Sequence, residues 1–292
     1  MATIPTRDDI RKALADALRD RVVGPDAQVK AAIYSDTTAP GWFAQDRPIR
    51  QVHADASMFI GGMRAILLQS LHPLAMAGVA QHSDYRNDPW GRLQRTADFL
   101  AATSFGAQDV AQQAVDRVLS VHTRVQGTAR DGRTYSAQDP HLLRWVHVAE
   151  TDSFLCAHQM FGESALDQSA RDGYVKDTAF VANKLGVPDA PTSEQELRDQ
   201  LRAYRHELSS SADSRDAAKY LLLQPPLALP ERIPYSMIAA AAIATLPRWA
   251  RADLRLPWLP VTERFALRPL GDALTRTIRW AIGGEKPGVT DD

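Results

Sequence analysis

Three histidines and three polar residues in an apolar stretch are the first candidates for chemistry. Within ILLQSLHPLAMAGVAQHSDYRNDPWGRLQRTADFLAATSFGAQDVAQQAVDRVLSVHTRVQ (66–126), His72, His82 and His122 sit among aliphatic residues. Arg92, Arg95 and Thr96 lie between them. Imidazole nitrogens ligate transition metals, and paired guanidinium groups hold anions. An axial ligand for a haem iron needs one such group with apolar walls beside it. His122 fits on helical spacing, because it follows Ala111, Val115, Val118 and Leu119 on one stripe. A core histidine bonded to a carbonyl fits the same spacing and is the commoner outcome. His72, next to Pro73, has the same two readings, and His82 and His147 are weaker candidates.

Other metal chemistry is less well supported. A ferritin-like di-iron site needs Glu-x-x-His pairs, and the chain has none. A single-iron triad of two histidines and a carboxylate can be assembled on paper from His122, His147 and Glu150 or Asp152. No G-x-S-x-G, P-loop or G-x-G-x-x-G is present, so hydrolase and nucleotide-binding readings lose their usual signatures. Cys156 is the only cysteine, which excludes intrachain disulfides and cysteine-rich zinc sites. It reads as a small buried hydrophobe within a helix.

The elements that must position these groups are helical throughout. Helices are expected over 7–22, from Ser57 to a break at Pro73, over 91–102, 108–125, 141–161 and 163–185, from a Ser193–Glu196 capping box, and over 235–246 and 262–281. Pro73 lacks an amide hydrogen, so the helix from Ser57 must kink or break near His72. Arg92, Arg95 and Thr96 share one helix side by their spacing. Residues 36–50 read as loop, with Trp42 and Phe43 as plugs for a core or pocket rim, and 224–234 as a proline-rich surface connector. The expectation is one all-α domain of about ten helices over 1–292, with a core at about 35–270 and a frayed tail at 283–292.

Net charge is −1, which gives no electrostatic footprint for nucleic acid. No run reaches the roughly 18 apolar residues of a spanning helix. The start, MATIPTRDDIRKALADALRD, has no secretory pattern, so a cytoplasmic location is expected. Peripheral membrane contact through 235–258 stays open, because Trp249, Arg251, Arg255 and Trp258 follow an Ala-rich helix.

LLQSLHPLAMAGVAQHSDYRNDPWGRLQRTADFL, then VHTRVQG, then GRTYSAQDP (132–140) and LLRWVH resemble the MpaB-like oxygenase family. That family includes the latex-clearing rubber oxygenases and the fungal oxygenase of mycophenolic acid biosynthesis. The likeness covers roughly 35–270. It implies a globin-like helical fold enclosing haem b, with O2 as co-substrate and a small hydrophobic or natural-product-like substrate. It also implies His122 as iron ligand, with His72 the runner-up. Ala75, Val118 and Leu119 become walls of the macrocycle. Arg92, Arg95 and Thr96 become pocket residues, where Arg92-Leu93-Gln94-Arg95-Thr96 matches an Arg-x-x-Lys-Thr segment with arginine for lysine. The family's distal glutamate falls near 75–77, where this chain has no acid, so rubber cleavage itself is not expected. A haem- or lipid-binding protein without turnover and a non-haem iron oxygenase are the alternatives.

Overall fold

The segment 58–69, MFIGGMRAILLQ, is apolar on nearly every side and becomes the helix at the centre of the computed structural model, which describes residues 6–24, 26–35 and 39–283. In chain order the helices are α1 (Arg7–Val22), α2 (Ala27–Ser35), α3 (Pro48–Ala54), α4 (Met58–Gln69), α5 (Pro73–His82), α6 (Pro89–Phe105) and α7 (Gln108–His122). A small hairpin follows, β1 (Gln126–Thr128) and β2 (Thr134–Ser136), antiparallel with Gln126 opposite Ser136. Then come α8 (Pro140–Phe161), α9 (Gln168–Lys184), α10 (Glu194–Ala203) with a 3-10 turn at Tyr204–His206, and α11 (Ala212–Leu223). The chain finishes with α12 (Leu229–Thr245), α13 (Arg248–Leu254), α14 (Pro260–Thr262), a π turn at Glu263–Leu267 and α15 (Arg268–Ile282). The expected all-α class holds. Of the expected tail, 284–292 lie outside the described residues.

α4 and α8 form the central pair. Their approach needs Gly61: a Cβ there would lie 2.6 Å from Cδ1 of Phe154 and 3.1 Å from its Cα. Beside this crossing Arg64, only 3% exposed, donates to Ser153 Oγ at 2.7 Å and to the Thr245 carbonyl at 3.2 Å. It also pairs with Asp152 at 2.7 Å, which tethers α8 and the end of α12 to one side chain. The larger core clusters both draw on α8: Trp145, Ala149 and Phe161 face α4 and α12, while Val148, Phe154 and Leu155 face α3 and α9. α15 packs on α1 and α12 and crosses the end of α8 where Gly271 meets the Phe161 ring.

Local rules explain most boundaries. His72 is the N-cap of α5 and Pro73 its first residue, so the chain breaks where the missing amide demands it. Asp139 accepts from the His141 amide at 2.9 Å and starts α8 at Pro140. At α10, Ser193 accepts from the Glu196 amide, but the Glu196 carboxylate returns to the Thr192 amide at 2.7 Å, one residue earlier than a capping box requires.

Several expectations need correction. α7 stops at His122 instead of running to Val125, because the chain turns there into β1. The connector expected at 224–234 is shorter, since α12 already begins at Leu229. Its prolines, Pro230 and Pro234, are accommodated in the first turns on an exposed side. α3 begins inside the expected loop 36–50, and α2, α11 and α13 were not anticipated.

The crossing yields a stability prediction. Gly61→Val should lower stability by about 1–3 kcal/mol by forcing α4 away from Phe154, whereas Gly132→Ala, at a φ of +86° with nothing within 4 Å, should cost only backbone strain. Urea midpoints of the two variants test this, and a Gly61→Val midpoint equal to wild type would refute the close-contact account.

Candidate functional site

The α6–α7 hairpin turns at Gly106 and Ala107, which sets Arg92 and His122 at comparable distances from the turn on two packed helices. His122 ends the α7 stripe of Ala111, Ala114 and Val115, with Val118 and Leu119 half-buried before it. Its Nδ1 is buried and has no hydrogen-bond partner. Burial alone lowers its pKa, so the ring is neutral and carries a free lone pair at neutral pH.

Arg92 lies inside as well. Its Nη1 donates to Ser83 Oγ at 2.5 Å, and among the described residues no carboxylate lies within ion-pair distance. Burial lowers its pKa, and the neighbouring Arg95 adds to the effect. An arginine so placed is suited to an anion that the polypeptide does not supply. Arg95 turns outward, 66% exposed, and pairs with Asp88 at 3.1 Å. Thr96 is exposed too and donates to the Arg92 carbonyl at 3.1 Å. The structure therefore brings His122, Val118, Leu119 and Arg92 to the inner side and leaves Arg95 and Thr96 outside.

The small residues of α5 serve another purpose. Ala77 is buried with Tyr135 and Leu142, and a Cβ on Gly78 would meet the Tyr135 ring at 3.5 Å. Tyr135 donates to Gln81 Oε1 at 2.7 Å, and Gln81 Nε2 donates to the Thr128 carbonyl at 3.0 Å. His82 is exposed and donates through Nε2 to the Gln126 carbonyl at 3.1 Å. The HS and Y-x-A motifs thus lock α5 to the hairpin. Ala75 is half-buried against the α4–α8 core. His72 lies at the start of α5, 2% exposed, with Nε2 3.6 Å from Glu207.

A second buried polar group lies along α8, where the sequence offered His147, Glu150 and Asp152 for a single-iron triad but gave no sign of the neighbours Tyr174 and His53. His147 is half-buried, but its Nε2 is buried with no partner, and burial pushes its pKa down to about 4. Three residues on, burial pushes the Glu150 carboxyl up to about 7, against a Gln69 hydrogen bond that favours the ionised form. Tyr174 on α9 is held well above the usual phenol range by burial, with Glu150 and Asp177 adding to it. Its hydroxyl lies 3.2 Å from His53 Nε2, and His53 Nδ1 lies 2.7 Å from Ser104 Oγ. Burial takes His53 down to about 3, so it stays neutral. Asp152 leaves this group for Arg64, and the set of His122, His147, Glu150 and Asp152 does not converge on one point. Trp42 and Phe43 do line a surface cleft of about 410 Å³ with Phe180, Arg47 and Asp177, as the rim reading expected.

Comparison with known families matches residues 50–280 to the catalytic domain of the ER-bound oxygenase mpaB/B′ and rubber oxygenase. The chain belongs to this family. The match covers the helices from the end of α3 into α15 and includes every candidate site residue. Oxygenase chemistry is accordingly the activity of its catalytic domain. No curated protein and no solved structure matches the chain.

The buried pair on α8 gives opposite pH slopes. Glu150 has a folded pKa above its unfolded value, so its contribution is intact below about pH 4.5 and is lost as pH rises to about 7. His147 has a depressed folded pKa, so its contribution is lost as pH falls from about 6.5 towards 4. Glu150→Gln should therefore raise stability at pH 8 by up to about 3 kcal/mol, with the gain vanishing near pH 4.5. Urea unfolding at both pH values checks this; a gain that grows on acidification would contradict it.

Proposed function

We propose that this chain is a haem b-dependent oxygenase that uses O2 on a small hydrophobic or natural-product-like substrate, with His122 as the iron ligand. The unpartnered, buried Nδ1 of a neutral His122 at the end of an apolar stripe carries the reading. The residues present fit the group in two further respects. Arg92 is a half-buried cation that pairs with no carboxylate among the described residues, suited to a haem propionate. Val118 and Leu119 supply apolar surface one turn before His122.

When bound, the haem would supply the iron that binds and activates O2. The polypeptide's own contribution is positioning and proton control. His122 would hold the iron, and its second nitrogen would need an acceptor to fix the ring. Arg92 would pair with an anionic group of the haem from the α6 side. Glu150 would be the base that takes up a proton near neutral pH, a role the family pattern would place near 75–77, where this chain has only Ala75, Met76 and Ala77. His147, neutral beside it, keeps an open nitrogen. Arg95 and Thr96, on the exposed side of α6, bear on catalysis only through Arg92, to whose carbonyl Thr96 is bonded.

Purified protein supplied with haem should show a Soret band. His122→Ala should lose haem, and His82→Ala, whose ring only pins the hairpin, should retain it. Full retention after His122→Ala would move the ligand to His147 or His72. Turnover in Glu150→Gln should lose the acid limb of its pH profile; an unchanged profile would remove Glu150 from proton transfer.

The place of action is proposed to be a membrane surface facing the cytoplasm. No helix among the described residues is long and apolar enough to cross a membrane. Within 235–258 most apolar residues turn into the core, including Ala241, Ala242, Leu246 and Ala250. The exposed apolar side chains flank that span instead: Leu229, Ile233, Trp258, Val261 and Phe265. Arg248 stacks 3.8 Å over the Trp258 ring, and Arg264 lies over Phe265. This is the mixture that seats an amphipathic surface on anionic lipid. The protein should co-sediment with anionic vesicles and Phe265→Asp should weaken it; no sedimentation of the wild type would exclude the contact.

A further inference from the structure

Away from the α6–α7 hairpin, three histidines surround one carboxylate. Glu207 follows the 3-10 turn Tyr204–His206. His141, in the first turn of α8, places Nε2 2.8 Å from Glu207 Oε2. His72, the N-cap of α5, places Nε2 3.6 Å from the same oxygen. His206 places Nε2 3.7 Å from Oε1. The ligand atoms of His72, His141 and Glu207 all lie within 4.8 Å of one another.

The hydrogen bonds on the far sides of these rings make the arrangement informative. His206 Nδ1 lies 2.8 Å from the Ala203 carbonyl, which only accepts, so Nδ1 carries the hydrogen and Nε2 presents a lone pair. The Tyr204 hydroxyl donates to the His141 carbonyl at 2.8 Å and can only accept from His141 Nδ1, 3.4 Å away. His141 Nε2, 2.8 Å from Glu207, meets the carboxylate either as an N–H donor or through a shared cation. His72 adds an independent observation: its side chain is 3% exposed, and its Nε2 is buried with no hydrogen-bond partner. Its Nδ1 contact to the Ala75 amide, 3.5 Å, is at the outer limit of a hydrogen bond and does not fix the ring's protonation.

We infer that His72, His141 and Glu207 bind a divalent transition-metal ion of the zinc class, with the fourth position left to solvent. Two ligand atoms about 2.0–2.2 Å from one tetrahedral ion lie roughly 3.3–3.6 Å apart. The 3.6 Å separation of His72 from Glu207 already matches, and the 2.8 Å of His141 needs a small opening. Imidazole with one carboxylate suits Zn²⁺ and its neighbours. On the far side of His141 the Tyr204 hydroxyl lies 3.4 Å from Nδ1, where a second-shell partner would sit. The Trp145 ring, 6.3 Å from that of His72, walls the inner side. An ion can enter from solvent, because the His141 side chain is 48% exposed and Glu207 30%. With three protein ligands the site clips the starts of α5 and α8 to the turn after α10 and keeps one position open to solvent. It is separate from His122 and does not depend on His122 holding haem.

The test uses the full chain, stripped with a chelator and titrated with ZnCl2 by calorimetry, then with CoCl2 by absorption. One equivalent of Zn²⁺ should bind, with a rise in melting temperature, and Co²⁺ should give the visible bands of a tetrahedral site. Glu207→Gln and His141→Ala should each weaken binding by on the order of 100-fold. His122→Ala should bind Zn²⁺ like wild type, which keeps this site apart from the haem ligand. Circular dichroism confirms that each variant is folded, and His206→Ala, on the exposed turn, should bind Zn²⁺ like wild type. Absence of stoichiometric binding, or affinity unchanged in both Glu207→Gln and His141→Ala, would overturn the site.

Discussion

The close crossing of α4 and α8 at Gly61 and Phe154 is the constraint from which the rest is built. It brings two helices to a separation at which a single methyl group would collide. It also commits Arg64 to the interior, where the guanidinium must be satisfied. Asp152, Ser153 and the Thr245 carbonyl do that, so α12 is fixed to the pair by the same side chain. A buried ion pair of this kind contributes little net stability, but breaking it by removing one partner costs about 3–5 kcal/mol. It therefore acts mainly to specify the register of three helices. Asp152 is taken by this duty, which is why the neighbouring acid, Glu150, is the one left with no cation.

The other sides of α8 follow from that register. With Asp152 turned to Arg64, the helix period turns His147 and Glu150 away towards a different surface. Both are uncharged forms favoured by burial, one base and one acid, and neither neutralises the other. Such a pair is a liability for a plain scaffold. On the proposed function it would have a use, because a carboxyl with a pKa near 7 exchanges a proton at little cost.

How much of this could be read from the sequence depended on range. The break at His72 and Pro73 and the start of α8 at Asp139 and Pro140 are local effects, and both are where the spacing puts them. The all-α class and the inward stripe ending at His122 follow from periodicity. Two proline-containing regions misled. Prolines at 230 and 234 look like a connector, yet they sit in early turns on the exposed side of α12. Pro48 likewise opens α3 inside an apparent loop. Arg92 and Arg95 share a helix side by spacing, but three residues of helix are enough to put one inside and one on Asp88. Long-range encounters left no local trace: His72, His141 and Glu207 meet only after α5, α8 and α10 are packed.

The histidines of this chain are best separated by what each second nitrogen meets. His53 and His82 have their partners in Tyr174 with Ser104 and in the Gln126 carbonyl, and their positions need no ligand. His72, His122, His147 and His158 each bury a nitrogen without one. An unsatisfied buried polar atom costs about 1–3 kcal/mol, so several together are a considerable burden for one domain. A bound cation or iron removes that burden by occupying the lone pair, and its binding energy then adds to folding. On the two proposals His122 and His72 would take different ions, since one ends an apolar stripe and the other faces a carboxylate. The same fold would then carry an oxygen-activating centre and a metal clip, with the stability of the polypeptide coupled to both.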